Sequence, residues 1–197
     1  PNRDDVVPVA SAEFMQGDEP FFIFASFINP HDICQVARNQ TLPQGPIPQP
    51  DSMSACPGLP PNFAIPPFSP DALQWLRRVS PRIYPTLDWT DDQWRHFRHQ
   101  YFRLAEKVDA EVERLLDAVD ASGKADETIV IFTSDHGDGH GAHQWNQKTA
   151  LWQEEIRIPM IVAAPGQSAH VDDTHLVSNG LDLLPTVADY ADVEAPE

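Results

Sequence analysis

Cysteine, basic side chains and long apolar runs are all scarce in this sequence of 197 residues. Its two cysteines, Cys34 and Cys56, permit at most one disulfide, and their number leaves the redox compartment open. Every apolar run is shorter than the ~18 residues that a membrane-spanning helix needs, so no such helix is predicted. Only 13 basic residues face 30 acidic ones, and the net charge of −17 argues against nucleic acid or an anionic membrane surface as a partner. Any anionic substrate must therefore be held by local cations.

The amino terminus lacks the features of a natural beginning. It opens at Pro1-Asn2-Arg3 without a start methionine, a basic leader or an apolar leader, which indicates a fragment or a processed product. The length and the hydrophobic content of 41% suffice for one domain with a core of its own.

Three short apolar runs predict strands that are buried on both faces, as in parallel sheets. They are residues 20–27, 128–133 and 158–163. A helical pattern lies between the first and second runs, and a shorter helical stretch lies between the second and third. This alternation predicts an α/β fold with a mainly parallel sheet flanked by helices.

Two helices are predicted from their periodicity. Thr90 to Gln93 has the pattern of a capping box, and apolar residues recur behind it every three or four positions until Ser122-Gly123, where the helix should end. Residues 177–191 predict a closing helix, with Pro185 as a local irregularity.

Residues 41–70 hold ten of the 20 prolines and predict an insertion without regular helix or central strand. A surface loop is one interpretation, and a loop that shapes a substrate pocket is the other.

The residues just after the second run are the first candidates for chemistry, because ligands of open α/β sheets bind beyond the carboxyl ends of strands. Asp135 and His136 stand there among glycines, and a carboxylate with an imidazole is a plausible pair of ligands for a divalent cation. The spacing excludes an EF-hand. For His140 and His143, hydrogen bonding within the loop is the expected role, with coordination as the alternative.

Two further candidates carry little information on their own. His31 follows the first run within Asn29-Pro30-His31, and Lys148 stands thirteen positions after Asp135. Together with Asp135 and His136, they would place a metal, a cation and an acid-base group at one edge of the sheet.

Five segments resemble, in order and spacing, successive blocks of the type I sulfatases within the alkaline phosphatase superfamily. They are residues 22–32, 128–137, 145–149, 156–162 and 181–186. The resemblance implies that residues 1–197 form a single, partial catalytic domain of the sulfatase or alkaline-phosphatase-like fold, into which residues 41–70 are inserted.

The resemblance also implies roles for the four candidates. Asp135 and His136 match two ligands of a divalent cation, usually calcium, with His136 where many members have asparagine. Because histidine is a poor ligand for calcium, manganese, magnesium and zinc stay open. Lys148 matches the lysine that contacts the sulfate and the bridging oxygen, and His31 matches the histidine that helps to protonate the leaving alcohol.

The sulfatase nucleophile is absent from this sequence. Sulfatases use a formylglycine made within a Cys/Ser-x-Pro-x-Arg motif, but Cys34 to Arg38 has Val36 in place of the proline and follows the His31 block. We therefore expect the formylglycine and further acidic metal ligands in an amino-terminal segment outside this chain, and we expect this chain alone to be inactive.

The sequence thus predicts part of an enzyme that hydrolyses an organic sulfate ester, with a sulfated carbohydrate as the expected substrate. A phosphate or phosphonate ester hydrolase of the same superfamily is the alternative, and a non-catalytic fragment that binds anions or a partner is another. By the same resemblance, we expect the parent protein to be exported to a periplasmic, extracellular or lysosomal location.

Overall fold

The structure, a computed structural model, describes residues 3–79 and 86–195. Its helices are α1 (Arg3–Met15), α2 (Ile33–Ala37), α3 (Asp71–Val79), α4 (Asp91–Ala121), α5 (Gln153–Ile156) and α6 (Leu183–Tyr190). Its strands are β1 (Val130–Thr133) and β2 (Met160–Ala163), and short 3-10 turns occupy Met53–Ala55, Ala125–Glu127 and Ala142–Gln144. Within these described ranges no helix is both long and apolar enough to cross a bilayer.

The long helix α4 begins and ends where the sequence predicts. The Gln93 N–H donates to Thr90 Oγ1 over 3.3 Å and the Thr90 N–H donates to Gln93 Oε1 over 2.8 Å, which completes the predicted capping box. At the other end Gly123 has a φ of +72°, the left-handed conformation that glycine adopts without steric cost.

The hydrophobic core lies along one face of α4. Trp94, Phe97 and Leu104 are fully buried there, and burying a side chain of this size contributes about 1.5–3 kcal/mol. Trp94 makes edge-on contacts with Trp89, at a centroid distance of 5.0 Å, and with Phe63, at 5.8 Å. The remaining buried members of this core are Ile33, Cys34, Ala37 and Ile47. Cys34 and Cys56 form no disulfide, and both are buried.

Helix α1 packs against α4 and was not predicted from the sequence. Its buried residues are Asp4, Pro8, Ser11 and Met15, which recur at helical spacing. Met15 is the only one of the four that is an apolar residue with a high helix propensity. Pro8 also removes a backbone donor inside the helix. A hydrophobic pattern therefore could not reveal this helix.

The two strands pair with each other in antiparallel fashion, with Val130 opposite Ala163 and Thr133 opposite Met160. Both strands lie within the predicted runs, but the prediction of a mainly parallel sheet is not confirmed by the described residues. A parallel pair needs a crossover that is usually helical. Residues 134–159 contain only the four-residue helix α5 and a 3-10 turn, and they return the chain to the same edge.

The predicted strand at residues 20–27 is wrong, because the structure assigns no strand to this segment. Side chains there alternate between half-buried and exposed, and Phe22 and Phe24 are 72% and 77% exposed. Only one face of the segment packs against the described part of the chain. A continuous apolar run therefore predicts a strand's composition but not the neighbour that would complete its hydrogen-bond ladder.

The proline-rich segment 41–70 has no regular helix or strand beyond one 3-10 turn, as predicted. It is nevertheless attached to α4: Arg95 donates to the carbonyl oxygens of Met53 over 2.6 Å and of Cys56 and Pro57 over 3.3 Å each. Backbone carbonyls without secondary-structure partners are satisfied in this way.

The closing helix α6 is shorter than predicted. A turn over residues 178–182, closed by the Ser178 N–H donating to Asp182 over 2.7 Å, precedes it. Pro185 lies in the first turn of α6, where its missing N–H costs no helical hydrogen bond.

Candidate functional site

His31 and Lys148 are in contact although 117 positions separate them in the chain. Lys148 Nζ lies 3.2 Å from His31 Nδ1. An ammonium group can only donate, so Nδ1 accepts and the hydrogen of the neutral ring lies on Nε2. Partial burial and then the charge of Lys148 lower the pKa of His31. The contact therefore favours a neutral imidazole with an Nε2–H group.

Asp135 and His136 directly follow β1, as predicted. His136 Nδ1 lies 2.8 Å from the Gly137 carbonyl oxygen, which can only accept, so Nδ1 carries the hydrogen and Nε2 of the neutral ring carries the lone pair. That Nε2 lies 3.3 Å from Asp135 Oδ2, and the Asp135 side chain is 83% exposed. The two electron-pair donors are thus as far apart as two adjacent ligands of one cation.

The backbone at this pair is held by Asn179, whose Nδ2 donates to the carbonyl oxygens of Ser134 over 3.2 Å and Asp135 over 2.9 Å. Electrostatics link the pair to His31, because His136 lowers the pKa of His31 and Asp135 raises it. The four predicted residues therefore belong to one cluster, which lies next to an antiparallel pair of strands and not at the predicted parallel edge. In the described part of the chain, no group of three or more His, Cys, Asp or Glu side chains could together hold a metal ion.

Asp138 belongs to the same cluster and was not singled out from the sequence. Burial raises its pKa to about 6, while the hydrogen bond from the His140 N–H and the charges of Lys148 and His136 lower it. The His140 N–H donates to Asp138 Oδ1 over 2.8 Å. An aspartate in a glycine-rich loop is usually a turn residue, and only its burial distinguishes this one.

Glu155 is a second buried carboxylate that sequence reasoning missed. It is 2% exposed, and its Oε2 accepts from the Ala150 N–H over 2.8 Å, two residues beyond Lys148. Burial raises its pKa to about 7, and the negative charges of Asp138 and Glu154 act in the same direction. Glu155 therefore fixes the backbone of the segment that carries Lys148.

Two glycines allow the loop after β1 to approach this segment closely. A Cβ atom on Gly137 would lie 2.0 Å from the Glu154 carbonyl oxygen, and one on Gly139 would lie 2.7 Å from the Trp145 carbonyl oxygen. Short backbone bonds use this space, from the Gly137 N–H to the Glu155 carbonyl at 2.7 Å and from the Gly139 N–H to the Gln147 carbonyl at 2.9 Å. No other residue fits at either position without a shift of the backbone.

His140 packs its ring against aromatic rings of α4, a contact that the sequence did not predict. Its ring lies 4.2 Å from the Tyr101 ring and 4.9 Å from the Phe102 ring, and Arg98 Nη1 donates to its carbonyl oxygen over 2.7 Å. Burial and then the charge of Arg98 lower the pKa of His140 to about 3, so the ring is neutral at neutral pH.

His143 joins the proline-rich segment to the site loop. Its N–H donates to the Asn62 carbonyl over 2.8 Å, and Asn62 Nδ2 in turn donates to Glu154 Oε1 over 2.6 Å. The His143 ring lies 4.1 Å from the Trp152 ring. Asn62 is thereby attached to residues on both sides of Lys148, which shows that the proline-rich segment contacts the candidate site.

Comparison with known proteins identifies the family. The sulfatase family model matches residues 3–193. The chain is 31% identical over 189 residues to a Delta 4,5-hexuronate-2-O-sulfatase of Bacteroides thetaiotaomicron, covering 90% of this chain and 37% of that protein. Its fold matches a 2-O GAG sulfatase with a TM-score of 0.83 and 29% identity, covering 100% of this chain and 44% of the other. A phosphonate monoester hydrolase from Silicibacter pomeroyi matches with a TM-score of 0.51 and 29% identity, covering 72% of this chain and 29% of the other.

The chain therefore spans less than half of the length of these relatives. Its matched region nonetheless contains both halves of the candidate site, because His31 and Lys148 fall within residues 3–193. On this match the chain belongs to the sulfatase family.

Proposed function

We propose that this chain supplies His31, Lys148, Asp135 and His136 to a site that hydrolyses organic sulfate esters. The observation that carries the proposal is the 3.2 Å contact between Lys148 Nζ and His31 Nδ1, beside the Asp135 and His136 pair. The nucleophile is proposed to be a formylglycine that lies outside this chain.

Lys148 and His31 suit the two charge changes of ester hydrolysis. A sulfuryl group in transfer and a departing alkoxide both carry negative charge, which a nearby ammonium stabilises. The His31 Nε2–H is available to the leaving oxygen, since Nδ1 already accepts from Lys148. Binding of an anionic ester also opposes the lowering of the His31 pKa by Lys148, and so favours the charged, proton-donating ring.

Asp135 and His136 would hold a divalent cation, with calcium expected and manganese, magnesium or zinc as alternatives. Their fit to a cation rests on the 3.3 Å separation of the two lone-pair donors, which suits adjacent ligands of one ion, and on the fixed Nδ1–H of His136. The cation would supply positive charge beside the sulfate group. Two side chains make only part of a coordination shell, so the other ligands would come from water or from residues outside this chain.

A sulfated carbohydrate is the proposed substrate class. The supporting observations are that one relative is a hexuronate 2-O-sulfatase and another is a 2-O GAG sulfatase. The chain's own charge of −17 would repel such polyanions, so local cations such as Lys148 must hold them. The second candidate is phosphonate ester hydrolysis, which the similarity to a phosphonate monoester hydrolase favours.

The test compares 4-nitrophenyl sulfate with 4-nitrophenyl phosphate and phosphonate esters, using a longer chain that includes the expected Cys/Ser-x-Pro-x-Arg segment. We expect a preference for the sulfate, and losses of about 10²- to 10⁴-fold in kcat for His31→Ala and Lys148→Ala. His170→Ala and Lys107→Ala are the matched controls. Equal activity of His31→Ala and His170→Ala would refute the role of His31, and a preference for phosphonate would favour the second candidate.

A further inference from the structure

Asp4 is a buried carboxylate at the start of α1, far in sequence from the candidate site. It is 2% exposed, a degree of burial that a carboxylate sustains only when its oxygens accept hydrogen bonds. Oδ1 accepts from the Ile28 N–H over 2.7 Å. Oδ2 accepts from the Asn29 N–H over 3.2 Å and from Asn29 Nδ2 over 2.8 Å.

These donors lie three and two positions before His31. The Ile28 residue that donates its N–H to Asp4 also accepts, through its carbonyl oxygen, from the His31 N–H over 3.1 Å. Asp4 and His31 are thus joined through a single residue. The segment before Ile28 lies in no strand, so a sheet ladder does not fix the position of the turn.

We propose that Asp4 is a positioning residue that holds the turn from Ile28 to His31 so that His31 Nδ1 meets Lys148. A charged acceptor gives shorter and stronger hydrogen bonds than a neutral one, and three of them converge on this turn. Among the residues that the structure describes, Lys148 is the only hydrogen-bond partner of the His31 ring, so the backbone of the turn sets where the ring lies. The importance of this positioning for catalysis rests on the proposed function of His31, but the positioning itself does not.

A carboxylate that merely fastens α1 to the rest of the fold would make the same contacts, and the test must separate the two roles. Asp4→Asn keeps the shape of the side chain but replaces one acceptor oxygen with an NH₂ group, which cannot accept. Glu13→Gln is the control, because Glu13 lies on the same helix and is exposed. The first readout is the titration of the His31 ring, which is monitored by NMR. The second readout is the thermal unfolding midpoint.

With Asp4→Asn we expect the pKa of His31 to rise towards its ordinary value, because the contact with Lys148 is weakened. Glu13→Gln should leave the pKa of His31 unchanged. A folded Asp4→Asn protein in which His31 titrates unchanged would overturn the proposal, even if its unfolding midpoint is lower.

If the Asp4→Asn protein does not fold, the Asn29→Ala variant tests the proposal instead. It removes one of the three hydrogen bonds, so we expect a smaller rise of the His31 pKa in the same direction, and no change would overturn the proposal. In a longer chain with the expected nucleophile, Asp4→Asn should lower kcat about tenfold while KM stays within about twofold. Absence of any sulfate turnover in that longer chain would contradict the proposed function but leave the positioning of His31 standing.

Discussion

Glu155 holds the backbone of Ala150 through a 2.8 Å hydrogen bond, two residues beyond the lysine that contacts His31. The acceptor is a buried carboxylate whose pKa is raised to about 7. The geometry of Lys148 is therefore coupled to a group that titrates near neutral pH.

This coupling predicts a pH dependence of stability. Because the folded pKa of Glu155 lies above its unfolded value of 4.5, the folded state binds more protons between pH 4.5 and 7. The carboxyl group thus makes the free energy of unfolding fall as the pH rises through that interval, and the loss is complete above it. Glu155→Gln keeps an acceptor for the Ala150 N–H and removes the charge.

We expect Glu155→Gln to be more stable than the parent by roughly 1–3 kcal/mol at pH 8 and equal to it at pH 4. Urea unfolding of both proteins at pH 4 and pH 8 measures this difference in the free energy of unfolding. Asp138 and His140 contribute equally to both proteins, so their contributions cancel. Glu127→Gln, at an exposed position, is the control. A difference that does not grow with pH would show that Glu155 titrates normally.

The second prediction concerns the activity of this chain by itself. Without a Cys/Ser-x-Pro-x-Arg motif it has no formylglycine, and loss of the nucleophile removes a covalent step that the other residues cannot replace. We expect hydrolysis of 4-nitrophenyl sulfate at the background rate, with or without added calcium. Metal-dependent turnover that is lost in Lys148→Ala would prove this expectation wrong.

The third prediction is a weak metal site. Two side chains, Asp135 and His136, would leave a hard cation with most of its water, and we expect a Kd for calcium of about 1 mM or weaker. Calorimetric titration with calcium, manganese and zinc tests this, with Asp135→Asn as the variant and Asp189→Asn, at an exposed position, as the control. A micromolar calcium site in the unsubstituted chain would mean that further ligands lie within these 197 residues.

The fourth prediction tests the close approach of the loop after β1 to the segment that carries Lys148. A methyl group at Gly137 would meet the Glu154 carbonyl oxygen at 2.0 Å, a backbone atom that cannot move aside alone. We expect Gly137→Ala to destabilise the fold by about 2 kcal/mol or more, whereas Gly58→Ala, with open space around it, should change stability by less than about 0.5 kcal/mol. Chemical denaturation of the two variants gives the comparison, and similar values would contradict the described loop geometry.

Local signals in the sequence were sufficient for α4, β1 and β2. The capping box at Thr90, the glycine at position 123 and the two β-branched runs each act over a few residues, so neighbouring positions contain the information. The direction of strand pairing depends on the path of residues 134–159, and the state of residues 20–27 depends on which chain lies beside them. Neither property can be predicted from the residues of the segment itself.

The candidate site divides in the same way. Asp135 and His136 follow a predicted strand, and their position drew attention to them, whereas His31 and Lys148 carry little information on their own and took their roles from the resemblance to the sulfatases. Asp4, Asp138 and Glu155 were missed, because an acidic residue in a sequence is usually exposed and only the folded chain reveals its burial. Burial of a carboxylate is a property of the surrounding packing and not of the residue.

The attachment of Asn62 to His143 and Glu154 bears on how the proline-rich segment can be exchanged between related proteins. A chimera that replaces residues 41–70 as a block keeps a backbone carbonyl for the His143 N–H but removes the side-chain donor that Glu154 Oε1 accepts from. The transplanted segment must therefore bring a side-chain donor at position 62, or the recipient must be altered at position 154 as well. Grafting of this segment is thus a two-site operation, because the side chain at position 62 must match the one at position 154.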